Sequence, residues 1–247
     1  MSLSRKTRSR VAFAIAGAIL AAISCFGAAA LVLEKGGGEL SRNPRGIDLS
    51  AAALDASSSS EGVDWDYWKE VNPDIVGWVS VPGTNIDYPV VRAPDDRPGY
   101  YLDHDVYGKW NFTGCPYLDA NSPSLIERGS VVFGHNMGWS DAMFADFSKF
   151  SDAGYTEGHR EVHIYTPDGG VELSVRAVDV VPGWEKSKRT SFSGERDFKD
   201  WWTGRLAASD VVVGGSDEIP DAVVIFCTCS YNYWSSERTL VYAESVE

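Results

Sequence analysis

The chain has 247 residues, a hydrophobic fraction of 44% and a formal net charge of −13. That length suits one large domain with extensions or two small ones, and that apolar content can supply a core. The acidic balance argues against nucleic acid as the main partner, because phosphate binding needs clustered Lys and Arg.

Charge is unevenly spread along the chain. Residues 1–10 form a basic tail with Arg5, Lys6, Arg8 and Arg10, and the uncharged run "VAFAIAGAILAAISCFGAAALVL" fills residues 11–33. As a helix rising ~1.5 Å per residue this run is about 35 Å long, enough to cross a ~30 Å hydrocarbon layer. The basic flank should stay cytoplasmic, so the run reads as a transmembrane signal-anchor with the rest of the chain outside. A cleaved signal peptide is the alternative, since "GAAA" offers small residues to a peptidase. Either reading exports the functional part. Residues 34–61, with "GGG", "NPRG" and "SSSS", lack sustained apolar periodicity and read as a flexible linker.

The texture changes near Val63. "VDWDYWKEV" places Val63, Tyr67, Trp68 and Val71 as in a short amphipathic helix. Short β-rich runs follow, separated by Gly, Pro, Asn and Asp: "IVGWVSV", "IDYPVV", "SVVFGH", "EVHIYT", "VELSVRAVDVV", "DAVVIFCTC" and "TLVYAE". Two stretches read as helices, "SDAMFADFSKF" with Met143, Phe144, Phe147 and Phe150 on one side, and "GERDFKDWWTGRLAA" with Phe198, Trp201, Trp202 and Leu206 on one side. Many short strands with few helices predict a mainly β fold, a closed barrel with peripheral helices, as one domain over residues 62–247.

The chain has four cysteines. Cys25 lies in the apolar run, which leaves Cys115, Cys227 and Cys229 outside, an odd number, so at least one thiol stays unpaired within the monomer. In an extended strand Cys227 and Cys229 share a face with Thr228 opposite, and a disulfide between them would distort the strand. Cys229 is the better candidate for reactivity, because it stands where the strand runs into the polar segment "SYNYWSSER". A thiol needs a positive neighbour to become a thiolate near neutral pH. His135, at the end of "SVVFGH", and Arg238, brought back beside Cys229 by a hairpin, could supply one. Cysteine, histidine and arginine from three strand ends form a constellation suited to acyl transfer.

Other chemistries fit less well. His159 and His163 in "HREVHIY" invite a metal, but four residues apart on a strand they are separated by about 13 Å, too far to share one ion. No metal and no cofactor is expected. No G-x-S-x-G elbow, P-loop or dinucleotide fingerprint is present.

"FCTCSY" with Arg238 downstream resembles the T-L-x-T-C signature and arginine of sortases, and "VVFGHNM" resembles their histidine segment. "YYLDHDVYGKWNFTGCPYLD", the stretch "SDAMFADFSKF" and the long helix before the cysteine strand resemble class B sortases. The resemblance spans about Val63 to Glu244. Ile225-Phe226 replaces the T-L pair, and Cys115 and Cys227 are extra thiols, so a disulfide between them or redox modulation of the site stays open. The resemblance implies a membrane-anchored cysteine transpeptidase. Cys229 would be the nucleophile, His135 the general acid and base, and Arg238 the substrate and oxyanion clamp. Thr228, Asn136 and Tyr231 are the candidate substrate-binding residues. The implied partners are secreted proteins with a C-terminal sorting motif, a stem-peptide amine of the cell-wall precursor and the cell membrane. A catalytic domain outside a Gram-positive-type membrane follows. An exported cysteine peptidase using the same Cys–His pair, or a non-catalytic thiol-redox or metal-binding wall protein, is the alternative.

Overall fold

The computed structural model describes residues 62–185, 187–216, 218–231 and 236–246. The basic tail, the anchor and the linker expected over residues 1–61 lie outside the described residues. Among the described residues no helix is long and apolar enough to cross a membrane.

Helix α1 (Trp65–Val71) begins where the Asp64 carboxylate accepts the Tyr67 N–H at 3.0 Å, an N-cap that satisfies one of the free amides of the first turn. It stops at Asn72, because the ring of Pro73 disfavours the helical conformation in the residue before it. The Asn72 side chain donates to the Tyr101 hydroxyl at 2.8 Å and to the Val106 carbonyl at 2.9 Å, which ties this end to residues 101–106.

The strands follow as β1 (Ile75–Ser80), β2 (Asp87–Arg92), β3 (Tyr117–Leu118) and β4 (Arg128–Phe133), with a 3-10 turn at Tyr100–Leu102. A 3-10 helix (Ala145–Ser151) and helix α2 (Ala153–Gly158) lead to β5 (Glu161–Thr166) and β6 (Gly169–Pro182). Helix α3 (Glu195–Ala208), β7 (Val211–Val212), β8 (Val223–Cys229) and β9 (Glu237–Ser245) complete the domain. Pairing runs β5-β1-β2-β3-β4-β8-β9-β6, and β5 pairs again with β6. Eight strands thus close into a barrel, with β7 added outside the ring on β6. Closure leaves those eight strands no open edge to template association.

Two details differ from the sequence expectation. "SDAMFADFSKF" forms a 3-10 helix rather than an α-helix over Ala145–Ser151. Phe144, Phe147 and Phe150 recur every three residues, so one turn of three per repeat aligns them all on the core, where each is 0% exposed. Strands β3 and β7 have two residues each, too few to leave a period-2 pattern.

Both faces of β8 are covered, which explains its unbroken apolar sequence. Val223, Ile225 and Cys227 pack with Phe198 and Trp202 of α3 and with Leu240 and Tyr242 of β9. On the opposite face Phe226 stacks on Phe147 with ring centroids 4.7 Å apart and meets Phe144 edge-on at 6.0 Å. Burying a side chain of this size contributes roughly 1.5–3 kcal/mol. The segment between β6 and α3 is held at its far end by Asp197. That carboxylate takes a two-pronged ion pair from Arg189, at 2.9 and 2.5 Å, and the Ser193 N–H at 2.9 Å. The Arg189 fork and the Ser193 amide keep Asp197 well below the usual carboxylate range, at about 2.

Candidate active site

Cys229 is the last residue of β8, and its register partner on β9 is Arg238. On the other side β4 runs parallel to β8, with Phe133 opposite Cys227, and the Gly134 N–H donates to the Cys227 carbonyl at 3.2 Å. His135 stands two residues beyond Phe133, as Cys229 stands two beyond Cys227, so the parallel ladder carries both to the same end of the sheet. Cys229, His135 and Arg238 line one cavity of about 360 Å³, together with Tyr117, Phe133, Cys227 and Lys188 of the β6–α3 segment.

Local packing fixes the histidine. Gly134 must be glycine, since a Cβ there would lie 2.4 Å from the Phe144 ring. The Phe144 N–H in turn donates to the His135 carbonyl at 2.9 Å. The imidazole Nε2 is 2.8 Å from the Leu102 carbonyl oxygen. A carbonyl can only accept, so Nε2 carries hydrogen and Nδ1 is left for proton exchange. The Leu102 contribution was not readable in the sequence, because it is a main-chain group delivered by the 3-10 turn of "YYL".

The three described cysteines are free thiols. Burial pushes the Cys227 thiol up to about 11, against the opposing pull of Lys188 and Arg238. Burial pushes Cys115 up further still. Both are therefore protonated near neutral pH and poor nucleophiles. Cys229 is the partly exposed one of the three. Cys115 and Cys227 nevertheless border the same cavity, and that position was invisible for Cys115 in the sequence.

Arg238 anchors one guanidinium nitrogen on the Glu237 carbonyl at 2.9 Å. It lines the cavity, and its charge opposes the rise that burial imposes on Cys227 and Tyr117. Lys188 is a second cation in the cavity, and its Nζ donates to the Glu185 carbonyl at 3.4 Å. An isolated lysine in "KSKRT" carried no signal that would have singled it out.

The three residues read as substrate contacts take different positions. Asn136 is buried, and its side chain donates to the Cys229 carbonyl at 2.8 Å while accepting the Gly138 N–H at 2.9 Å. Thr228 is 1% exposed and, by strand alternation, turns its side chain to the face opposite Cys229, so it borders the cavity through its main chain. Tyr231 is 47% exposed and has φ +57°.

The other histidines have local partners. His104 Nδ1 lies 2.9 Å from the Tyr100 carbonyl, His159 Nδ1 lies 2.8 Å from the Tyr155 carbonyl at the end of α2, and His163 Nε2 lies 2.5 Å from Glu161. Among the described residues no group of His, Cys, Asp and Glu could hold a metal ion.

A closed β-barrel thus gathers a cysteine, a histidine and an arginine at one end, residue types suited to acyl transfer. No family model matches the chain. It is 28% identical over 156 residues to sortase B of Listeria monocytogenes, covering 61% of this chain and 62% of that protein. It is 21% identical over 174 residues to sortase B of Staphylococcus aureus, covering 70% of each. Its fold is similar to the crystal structure of Clostridium perfringens sortase B, with a TM-score of 0.67 and 26% identity over 74% of this chain and 100% of that one. The fold is also that of Staphylococcus aureus sortase B solved with a substrate and with triglycine, at TM-scores of 0.63 and 0.65. These relatives and solved structures are all sortases of class B, and the likeness to them in sequence and fold supports a class B sortase.

Proposed function

We propose that this protein is a cysteine transpeptidase that cuts a C-terminal sorting signal from secreted proteins and joins them to a cell-wall amine. The observation that carries this reading is the register Cys229↔Arg238 together with His135 on the neighbouring strand, all three bordering one cavity. The Cys229 sulfur attacks the carbonyl before the scissile bond, the C–N bond breaks, and His135 protonates the leaving amine. An incoming amine then attacks the thioester, gives a proton to His135 and releases the sulfur. The Arg238 guanidinium stabilises the oxyanion that forms in each half. Complexes of Staphylococcus aureus sortase B with a substrate and with triglycine support a peptide donor and an amine acceptor here.

The basic tail and apolar run of residues 1–33 support a single membrane span with the N-terminus inside and the catalytic domain outside. A stem-peptide amine is the acceptor that suits such a placement. The test is a product assay with a peptide carrying a sorting signal, with and without oligoglycine. A ligated product that appears with the amine supports transpeptidation. Hydrolysed peptide as the sole product, whatever the amine concentration, would make the protein a thiol peptidase.

A further inference from the structure

We infer that Lys188 is a specificity-determining residue: its ammonium, in the cavity that Cys229 lines, pairs with a carboxylate carried by the substrate, on the donor peptide or on the molecule that bears the accepting amine. This deepens the proposed function, since it rests on that cavity as the place where the peptide is cut and joined.

Two features of the cavity call for an anion. The chain as a whole is acidic, at −13. The described residues that line this cavity nevertheless include Lys188 and Arg238 and no Asp or Glu. Walls of one charge sign raise the local concentration of the opposite sign. Lys188 also lacks a protein anion of its own. Among the described residues no carboxylate pairs with it, and its Nζ meets the Glu185 carbonyl at 3.4 Å, beyond the usual range of a good hydrogen bond. Arg189, the next residue, is by contrast held by Asp197 at 2.9 and 2.5 Å. His135 is engaged by the Leu102 carbonyl, which leaves Lys188 as the cation with donors to spare.

The segment that carries Lys188 is fixed on both sides of it. The Gly183 N–H, directly after β6, donates to the Ser236 carbonyl at 2.7 Å, and a Cβ added at Gly183 would stand 3.5 Å from the Arg238 guanidinium carbon. The Glu185 N–H closes a turn on the Pro182 carbonyl at 2.9 Å. Beyond Lys188, the Arg189 carbonyl packs so closely on β4 that a Cβ at Gly129 would lie 2.0 Å from it. The ammonium between these ties acts on Cys227, where its pull is the first of those that oppose burial. Cys227 and Cys229 are about 7 Å apart along the strand, the length of two extended residues. A carboxylate held at Lys188 thus lies within a few residues of the bond that reacts.

The experiment uses full-length protein in detergent and the variants Lys188→Gln and Lys188→Arg, with Lys199→Gln, at an exposed position on α3, as the control for net charge. Cys229 is modified with two methanethiosulfonate reagents, one bearing a sulfonate and one a trimethylammonium group, and Cys229→Ala is the blank for Cys115 and Cys227. The ratio of the two rates cancels any change in the thiolate fraction. It should favour the anion in wild type, fall about tenfold in Lys188→Gln, and stay near wild type in Lys188→Arg and Lys199→Gln. Two peptide arms then locate the carboxylate. In the donor arm, sorting-signal peptides carry Glu or Gln at one position at a time. In the acceptor arm, triglycine is compared with triglycinamide. One arm should show about a tenfold preference for the carboxylate, through KM, that Lys188→Gln removes. An anion-to-cation ratio equal in wild type and Lys188→Gln would overturn the inference, and so would the lack of a Lys188-dependent preference in both peptide arms. The reagent arm needs no peptide, so a wild-type protein that shows the Lys188-dependent ratio yet forms no ligated product would sink the proposed function and leave the anion subsite standing.

Discussion

Within β8 two cysteines sit two residues apart on one face, and their surroundings make them chemically different. Cys227 lies in the body of the strand, 3% exposed, in the cluster with Phe198 and Trp202 of α3, and its thiol is pushed up to about 11. Cys229 lies at the strand end, partly exposed, with Arg238 and His135 bordering the same cavity. The difference teaches that reactivity here comes from where packing stops. The helix that buries the strand body leaves its last residue to polar loops, and the same strand therefore serves as core and as active site.

The comparison breaks most sharply if the two cysteines are exchanged in role. Cys229→Ala should abolish turnover, while Cys227→Ala should keep activity within a few-fold, because a protonated buried thiol contributes packing and little chemistry. Equal loss in both variants, read as kcat/KM on one peptide, would remove the distinction. His135→Ala is the next largest effect. Proton transfer contributes about 10²–10⁴-fold, so the rate should fall by that much with the circular dichroism spectrum unchanged. His104→Ala, with its ring held by Tyr100 and Asp103, should be mild by comparison.

Arg238→Lys sharpens the electrostatic side. Lysine keeps the charge but loses the planar fork, and the loss of one oxyanion donor costs about 10²–10³-fold in kcat. Arg205→Lys serves as the contrast, because Arg205 pairs with the buried Asp179 at 3.2 Å under α3, away from the cavity. Near-normal turnover is expected there, along with a lower melting temperature. A wild-type rate for Arg238→Lys would reassign the oxyanion to backbone amides.

Two smaller effects probe the supports. Asp197 is held at about 2 against an ordinary 3.8 by Arg189 and Ser193. A depressed folded-state value stabilises the protein above the unfolded value and loses that contribution as pH falls towards 2. Wild-type melting temperature should therefore decline between about pH 4 and pH 2, and Asp197→Asn should flatten that part of the curve. The smallest effect is Thr228→Val. Among the described residues the Thr228 hydroxyl has no hydrogen-bond partner, so removing it should leave stability equal or slightly higher and activity intact. A large loss of peptide binding in that variant would show that the hydroxyl reaches the substrate.

Much of the barrel was legible, because each long strand carried β-branched runs bounded by Gly, Pro or Asp, and α1 and α3 carried clear apolar faces. The approach of Cys229, His135 and Arg238 was legible for the same reason, as all three stand where an apolar run meets polar sequence. What could not be read were the groups whose role comes from the main chain or from pairing. Leu102 acts through its carbonyl, and β3 is too short to leave a pattern yet bridges β2 to β4. The bond from the Asn136 amide to the Cys229 carbonyl, a pairing between residues 93 positions apart, was likewise not readable.

The central claim is that Cys229 carries the acyl group. Intact-mass and peptide-mapping mass spectrometry of the full-length protein, trapped with a sorting-signal peptide before amine is added, tests it most directly. The account predicts one acyl adduct per chain, on Cys229, that disappears when oligoglycine is supplied and reappears as ligated product. An adduct on Cys227 or Cys115, or none on any thiol while the peptide is consumed, would contradict it.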